Sequence, residues 1–319
     1  MKRIGILTSG GDSPGMNAAV RAAVRTGLSL DMEVFGIERG YEGLLDGEIK
    51  EMTWESAGDI LQRGGTILRT ARSERFRTKE GLSHAAKILE AFGIEGLVII
   101  GGDGSLHGGL ELSSYGVSVM GVPGTIDNDL GYTDFTIGFD TAVNTVLSLI
   151  SNIRDTSSSH ERTTVVEVMG RSCGDIALYS GMAGGADAIL VPEVPLDVND
   201  VCRRVIRGHQ SGKLHSIIIK AEGVDIGTDR LTEMLQEVTG CEARKVVPGY
   251  IQRGGSPSAS DRILASRTAS RAVHLLYDDE KSKAIGICGS EIVAYDLAEA
   301  LEMKRDFDMD MYRMAMTLA

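Results

Sequence analysis

The feature that most constrains the fold is an alternation of short apolar runs with longer amphipathic stretches. Runs such as Gly96–Ile100 are apolar almost throughout, as expected of parallel strands that are covered on both faces. The alternation with short connections therefore predicts an α/β protein with mainly parallel sheets and helices on both faces. The 319 residues suffice for about two such domains. The predicted strands are Arg3–Leu7, Glu33–Ile37, Gly96–Ile100, Val117–Val122, Thr163–Val168, Ala188–Val191, His215–Ala221 and Lys283–Cys288, and the predicted helices are Met16–Leu30, Ser83–Phe92, Thr141–Asp155, Val198–Ser211, Arg230–Val238 and Asp261–Tyr277.

Composition excludes several classes of protein. The formal charge of −12 argues against a partner such as nucleic acid or an anionic membrane, because such binders need a basic face. No apolar run approaches the ~18 residues of a membrane span. The 4 cysteines form no C-x-x-C pair, which argues against a zinc site or a disulfide scaffold and predicts a cytoplasmic location. The 40 glycines, in contrast, indicate many tight turns and places where backbone approaches a ligand.

Two glycine-rich turns follow predicted strands. In the segment 8–17, Gly10, Gly11 and Gly15 expose backbone N–H groups at a helix start, which suits a phosphate. The segment matches neither the Walker loop nor the dinucleotide fingerprint, and a simple tight turn explains it equally well. The second turn runs from Gly101 to Ser105 and carries Asp103 at its mouth. A carboxylate beside a phosphate site requires a cation and so indicates Mg²⁺, although Asp103 or Ser105 could instead cap the next helix.

A third candidate segment, 123–129, follows the predicted strand Val117–Val122. If it is extended, Asp127 and Asp129 point to the same side, because side chains two residues apart share a face. One carboxylate could then take a proton from an attacking hydroxyl while the other helps to hold a metal. A polar turn is the alternative.

Five arginines stand near predicted loops or strand ends and could bind phosphate through bidentate hydrogen bonds. On the first predicted helix, Arg21 and Arg25 lie one turn apart and could hold an anion, or could form an ordinary exposed face. Together with the glycine turns and carboxylates, these residues indicate phosphoryl transfer from a nucleotide to an anionic acceptor. The five arginines are Arg72, Arg162, Arg171, Arg244 and Arg253.

The order of these motifs resembles the bacterial 6-phosphofructokinase family over essentially the whole chain. The matching segments are 8–17, 101–105, 123–129, 169–171 and 252–257. The resemblance implies two Rossmann-like three-layer α/β/α domains with mainly parallel sheets and the active site in the cleft between them. Residues 1–138 and about 251–301 would form the ATP-binding domain, and residues 139–250 and about 302–319 the fructose 6-phosphate-binding domain.

The same resemblance implies Mg²⁺-dependent transfer of the ATP γ-phosphoryl group to O1 of fructose 6-phosphate, a glycolytic reaction. Asp127 would be the base, with Arg72, Arg171, Thr125 and Asp129 as the other catalytic residues. ATP would be bound by Gly11, Tyr41, Arg72, Ser73, Gly102, Asp103, Gly104 and Ser105, and Mg²⁺ by Asp103 and Asp129. Fructose 6-phosphate would be bound by Thr125, Asp127, Arg162, Met169, Gly170, Arg171, Glu222, Arg244, Tyr250 and Arg253.

The resemblance also implies a homotetramer, in which Arg162 and Arg244 serve a neighbouring subunit, and an effector site for ADP or phosphoenolpyruvate. Positions matching that effector site are Arg21, Arg25, Arg154, Gly185, Asp187 and Lys213. The chain departs from the family pattern at four positions. Tyr250 replaces a histidine and Ser73 an aromatic residue, while Trp54 and Ser211 stand where basic residues are common. Because charged hydrogen bonds contribute roughly 1.5–3 kcal/mol each, we expect weak or altered effector control.

Three alternatives stay open from the sequence. In pyrophosphate-dependent relatives the positions of Gly104 and Gly124 typically carry aspartate and lysine, and here both glycines would leave room for a nucleotide. A non-catalytic sensor of nucleotide or sugar phosphate could dispense with Asp103, Asp127 or Asp129, yet all three are present. A kinase for another sugar phosphate or nucleoside would share these residues.

Overall fold

The predicted alternation of strands and helices is confirmed in both units of the protein. The structure, a computed structural model, describes residues 1–319. Unit 1 consists of Met1–Ile126, Leu130–Thr141 and Arg253–Arg305, and unit 2 of Asp127–Asp129, Ala142–Gln252 and Asp306–Ala319. The assignment of ATP to one domain and of fructose 6-phosphate to the other stays a prediction.

Unit 1 is built on a sheet of eight strands. Its central strands are parallel, and antiparallel strands close both edges of the sheet. The elements of unit 1 are β1 (Arg3–Ser9), α1 (Met16–Ser29), β2 (Glu33–Ile37), α2 (Gly40–Asp46), β3 (Ile49–Glu51), α3 (Lys79–Phe92), β4 (Gly96–Gly101), α4 (Asp103–Ser113), β5 (Ser118–Thr125), β6 (Ile137–Gly138), α9 (Ala259–Tyr277), β11 (Lys283–Cys288), β12 (Glu291–Asp296) and α10 (Leu297–Glu302). The main strand order is β12-β11-β5-β4-β1-β2-β3, and β6 pairs with β5.

Helices cover both faces of this sheet, so unit 1 has three layers. Alternate residues of β1 face opposite sides: Ile4 and Ile6 join the apolar cluster beneath α1 and α9. Leu7 belongs to the cluster beneath α2, α3, α4 and α10. Every residue of β4 is buried, which explains why its sequence is apolar throughout rather than alternating.

Unit 2 has a smaller, entirely parallel sheet of four strands. Its elements are α5 (Phe139–His160, whose first residues belong to unit 1), β7 (Thr163–Val168), α6 (Asp175–Gly184), β8 (Ala188–Leu190), α7 (Val198–Gln210), β9 (Ser216–Ala221), α8 (Thr228–Thr239), β10 (Ala243–Val246) and α11 (Met309–Leu318). The strand order is β10-β7-β9-β8. Helix α6 contacts β8 and β9, and α8 contacts β7 and β10.

Several element predictions were wrong at their boundaries or absent. Helix α3 begins four residues earlier than predicted because the Thr78 side chain caps it by accepting the N–H of Gly81. Helix α5 is longer at both ends than the predicted Thr141–Asp155. The glycine-rich helices α2, α4 and α6 were not predicted, since glycine lowers intrinsic helix propensity. No helix in the structure has the length and apolar character that crossing a membrane requires.

Candidate active site

The two glycine turns of unit 1 lie side by side. Strands β1 and β4 pair in parallel register, with Ser9 opposite Gly101, so both turns begin at the same edge of the sheet. A Cβ on Gly101 would lie 2.6 Å from the Ser9 carbonyl oxygen. Gly10 adopts a φ of +86°, and a Cβ there would approach Ser105 Oγ to 3.0 Å. Glycine is therefore required at both positions for the turns to meet.

Asp103 is the first residue of α4, and its side chain is 48% exposed. No side chain caps this helix, so the structure contradicts the alternative that Asp103 or Ser105 serves as its cap. The Asp103 carboxylate instead lies 3.3 Å from His107 Nδ1, one turn along the helix. Gly104 is exposed, and a Cβ there would meet nothing within 4 Å, so open space lies beside the start of α4.

Gly124 differs from Gly104 in its surroundings. A Cβ on Gly124 would lie 2.9 Å from Ile100 Cγ2 and 3.2 Å from both the Gly101 nitrogen and Met16 Cε. The expectation that Gly124 leaves room for a nucleotide is therefore wrong. Neighbouring residues of unit 1 already fill the space beside Gly124, and glycine is needed there because no side chain would fit. Only Gly104 leaves open space.

Tyr41 is buried beneath the start of α4 rather than exposed to a ligand. Its ring stacks on that of Phe76 with centroids 3.9 Å apart, and its hydroxyl donates to the Ser105 carbonyl. Burial raises the pKa of the Tyr41 hydroxyl, which keeps it a hydrogen-bond donor. Ser73 Oγ accepts the N–H of Phe76 at 3.2 Å, and Arg72 is exposed. Tyr41 thus supports the second glycine turn from below, and Phe76 is an aromatic partner that the sequence analysis missed.

Residues 62–66 and 253–256 of unit 1 pack against each other through their glycines. A Cβ on Gly64 would lie 2.3 Å from the Gly255 carbonyl oxygen, and Ser256 Oγ donates to the Gln62 carbonyl at 2.8 Å. Arg253, predicted to hold the sugar phosphate, lies over the first glycine turn, 3.3 Å from where a Gly11 Cβ would be.

Asn17, the last residue of the segment 8–17, received no role of its own from the sequence, and in the structure it fixes the segment near residue 64. Its amide nitrogen donates to the carbonyls of Arg63 and Gly64 at 3.1 and 3.2 Å. Its amide oxygen accepts the N–H of Ile67 at 2.7 Å. The buried side chain therefore satisfies three backbone groups of a loop that has no regular structure of its own.

Asp127 is 3% exposed, and its Oδ2 lies 3.1 Å from Arg171 Nε within unit 2. The pairing compensates the cost of burying the carboxylate charge. The premise of an extended segment is wrong, because Asn128 adopts a left-handed φ of +53° between the two aspartates. Asn128 Nδ2 donates to Asp175 Oδ2 at 2.8 Å, which ties this turn to the start of α6. The tie fixes the position of Asp127.

The turn 169–171 is held from two sides. Glu222 Oε1 accepts the N–H groups of Gly170 and Arg171 at 3.2 and 2.8 Å. Gln252, fully buried and not singled out from the sequence, accepts the N–H of Met169 at 3.1 Å. Gly170 and Arg171 both have positive φ values, +133° and +53°. Glu222, predicted to bind the sugar, thus holds this turn.

Arg162 and Arg244, both predicted phosphate ligands, share one carboxylate in unit 2. Arg162 Nε lies 2.7 Å from Glu242 Oε2, and Arg244 Nε lies 2.9 Å from Glu242 Oε1. Hydrogen bonds from both guanidinium groups lower the pKa of Glu242. Tyr250 is 78% exposed. Glu242 therefore orients two arginines, a role that their spacing in the sequence did not suggest.

The predicted effector residues of unit 2 cluster around Arg154. Its guanidinium donates to the carbonyls of Gly184 and Gly185, and Lys213 forms an ion pair with Asp187. His215 lies 3.4 Å from Arg154, and burial followed by the nearby Arg154 charge lowers the pKa of this imidazole.

On α1 of unit 1, the remaining effector candidates are Arg21 and Arg25. Arg25 Cζ lies 5.7 Å from the centroid of the Trp54 ring, within range of a cation–π contact. Arg25 Nε is buried without a hydrogen-bond partner. Trp54, 49% exposed, therefore packs against a cation.

The residues present fit a magnesium ion that is shared with phosphate. No group of three or more histidine, cysteine, aspartate or glutamate side chains forms a metal centre in the chain. Mg²⁺ is usually bound by one or two carboxylates together with substrate phosphates and water, rather than by a cage of protein ligands. Asp103 in unit 1 and Asp129 in unit 2 are each carboxylates of this kind, and neither residue is fully buried.

The fold and the glycine turns define an α/β protein suited to binding nucleotide phosphates, and comparison with known proteins specifies the family. The phosphofructokinase family model matches residues 3–276. The chain belongs to the phosphofructokinase family. It is 57% identical over 319 residues to ATP-dependent 6-phosphofructokinases of Clostridium botulinum (strain Loch Maree / Type A3) and Clostridium tetani (strain Massachusetts / E88), and each comparison covers 100% of both chains.

Solved structures agree with this assignment. A phosphofructokinase from Saccharomyces cerevisiae superimposes with a TM-score of 0.93 at 35% identity, covering 99% of this chain and 50% of the yeast chain. This chain thus spans half the length of that relative. A pyrophosphate-dependent phosphofructokinase from Marinobacter aquaeolei has a TM-score of 0.86 at 22% identity, covering 97% of this chain and 86% of the other. That second likeness shows the fold alone.

Proposed function

We propose that the protein is an ATP-dependent 6-phosphofructokinase, which transfers the γ-phosphoryl group of ATP to O1 of fructose 6-phosphate. The products are fructose 1,6-bisphosphate and ADP, and the reaction belongs to glycolysis. The observation that carries the proposal is the buried Asp127 carboxylate paired with Arg171 on a fixed turn. The full-length identity of 57% to ATP-dependent 6-phosphofructokinases supports the same reaction.

On unit 1 the proposed nucleotide site consists of the two glycine turns. Backbone N–H groups at Gly11 and near Gly102 would donate to phosphate oxygens, as such turns do at helix starts. The open space beside Gly104 would take the rest of the nucleotide. Arg72, which is exposed, would neutralise charge on the moving phosphoryl group. Tyr41 and Ser73 would not contact the nucleotide but would support its site, Tyr41 by its hydrogen bond to Ser105 and Ser73 by its hydrogen bond to Phe76.

On unit 2 the proposed chemistry is proton removal by Asp127 from the sugar hydroxyl. Arg171 would both hold Asp127 in place and offset phosphoryl charge as the bond forms. Asp129 in unit 2 and Thr125, the last residue of β5 in unit 1, are the other proposed catalytic residues. When bound, Mg²⁺ screens the charge of the phosphate oxygens, and Asp103 and Asp129 are the residues that would hold it.

The sugar phosphate would be bound by basic and polar groups described above. Arg162 and Arg244, oriented by Glu242, and Arg253 would pair with the phosphate oxygens. Met169, Gly170, Glu222 and Tyr250 would line the sugar. We further propose a homotetramer, in which Arg162 and Arg244 serve a neighbouring subunit, and effector binding of ADP or phosphoenolpyruvate at the Arg154 and Arg25 clusters. A cytoplasmic location stays a prediction.

A donor and acceptor screen tests the proposal. Purified protein is assayed with Mg-ATP or magnesium pyrophosphate as donor, against fructose 6-phosphate, other sugar phosphates and nucleosides. We expect turnover with Mg-ATP and fructose 6-phosphate only, and a tetramer by light scattering. Faster turnover with pyrophosphate would identify the pyrophosphate-dependent alternative, and ligand binding without any turnover would identify a sensor.

A further inference from the structure

Lys220 is the most deeply buried cation in unit 2, with 1% of its surface exposed. Its ammonium nitrogen lies 3.2 Å from Glu167 Oε2 and 3.3 Å from the Ala221 carbonyl oxygen. Glu167 is its direct neighbour on the adjacent strand β7, and Thr228, the first residue of α8, also donates to Glu167 Oε2. Replacing both members of a buried ion pair by apolar side chains of similar volume is often neutral or stabilising, because the pair gains little over good packing. A gain in stability therefore does not by itself explain why this site holds an ion pair.

The contacts of Lys220 lead directly to a turn of the proposed active site. Ala221, whose carbonyl Lys220 binds, ends β9. The next residue, Glu222, donates its N–H to the Val168 carbonyl at 2.8 Å and accepts two N–H groups from Gly170 and Arg171. Arg171 has a left-handed φ of +53°, which a residue with a side chain adopts only when its surroundings impose it. Glu222 is the acceptor that holds it there.

Arg171 in turn places its guanidinium against Asp127, at 3.1 Å. We propose that the Lys220–Glu167 pair is a positioning element of the reaction: it fixes the end of β9 so that Glu222 holds the Gly170–Arg171 turn and the turn aligns Arg171 with Asp127. The inference rests on the proposed function. Neither member of the pair contacts the reacting groups.

The test separates positioning from stability by comparing Lys220→Met with the double variant Lys220→Met/Glu167→Gln. The single variant leaves a carboxylate without its buried cation, so both the thermal midpoint and kcat should fall, kcat about tenfold, with the KM for ATP within twofold. The double variant removes the lone charge and should recover most of the thermal midpoint, but kcat should stay about tenfold low. Recovery of kcat together with stability would show a merely structural pair and overturn the inference.

Arg230→Met is the matched control, because Arg230 forms an exposed ion pair with Glu233 at 3.4 Å on α8. It should change neither the thermal midpoint nor kcat. Should the single variant not fold, Thr228→Val, which removes only the hydroxyl on Glu167, should lower kcat about threefold, and an unchanged kcat there overturns the inference. An inactive unaltered chain would refute the proposed function, whereas an active one with unaffected variants refutes this inference alone.

Discussion

Gly104 and Gly124 should respond in opposite ways to the same added methyl group. Gly104 is exposed in the first turn of α4, and a Cβ there meets nothing within 4 Å. Replacing glycine by alanine in a helix stabilises it by about 0.5–1 kcal/mol. At about 2–4 °C per kcal/mol, Gly104→Ala should raise the thermal midpoint by about 1–4 °C. The methyl group would occupy the space assigned to the nucleotide, so kcat/KM for ATP should fall about 30-fold, which corresponds to a mid-range overpacking cost of about 2 kcal/mol.

Gly124→Ala adds its methyl group 2.9 Å from Ile100 Cγ2 and 3.2 Å from a backbone nitrogen. Overpacking of this kind costs about 1–3 kcal/mol, so the thermal midpoint should fall by about 4–8 °C for a mid-range cost of about 2 kcal/mol. Scanning calorimetry and steady-state kinetics with ATP as the varied substrate measure both variants. An unchanged kcat/KM for ATP in Gly104→Ala would refute the placement of the nucleotide beside α4, and an unchanged midpoint in Gly124→Ala would refute the packing argument.

Three further outcomes are expected. Asp127→Asn should lower kcat about 10²–10⁴-fold, the usual contribution of a general base, while calorimetry shows fructose 6-phosphate still bound; near-normal turnover would contradict the assignment. The pKa of His215 in the folded protein lies below its ordinary 6.5, so the folded state resists protonation of this imidazole. The contribution of neutral His215 to the free energy of unfolding is therefore fully present above pH 6.5 and is lost as the pH falls toward the folded pKa. Thermal midpoints from pH 8 to 5 should therefore fall less in His215→Gln than in the unaltered protein, and parallel curves would exclude His215 as the cause. ADP and phosphoenolpyruvate should shift half-saturation by fructose 6-phosphate less than twofold, and Trp54→Arg should enlarge the shift; a strong shift in the unaltered protein would show that Trp54 and Ser211 do not weaken effector binding.

The central parallel strands were predicted well because their signal is local, whereas the short or edge strands β3, β6, β10 and β12 were not predicted. Buried parallel strands need unbroken apolar runs, and Thr163–Val168 and Lys283–Cys288 have the predicted ends. The helices α4 and α6 were missed for the opposite reason. They contain several glycines, which lower helix propensity, and tertiary packing determines their helical state. Gly109 of α4, for example, lies against Ile99, where a Cβ would approach to 2.7 Å.

The sequence identified the candidate residues of the site but not the contacts that each of them makes. Asp127 and Arg171 were both predicted as site residues. Their ion pair, however, depends on the left-handed backbone of Asn128 and Arg171, which no local sequence pattern predicts. Gly124 was taken to leave room for a ligand, and its neighbours in fact fill that room. The roles of Asn17, Glu242 and Gln252 were missed because each satisfies a backbone or guanidinium group that is far away in the sequence.

By itself, the sequence determined the class of fold, the glycine turns at the strand ends and the carboxylates and arginines that bear the chemistry. These follow from apolar periodicity and from residue type, which are properties of neighbouring positions along the chain. Only the tertiary structure decided which groups meet, because contacts such as Gln252 with Met169 or Ser256 with Gln62 join segments that are far apart in sequence. Burial and hydrogen bonding, which turn Tyr41 and Glu222 into supports for the turns beside them, arise only once the chain has folded.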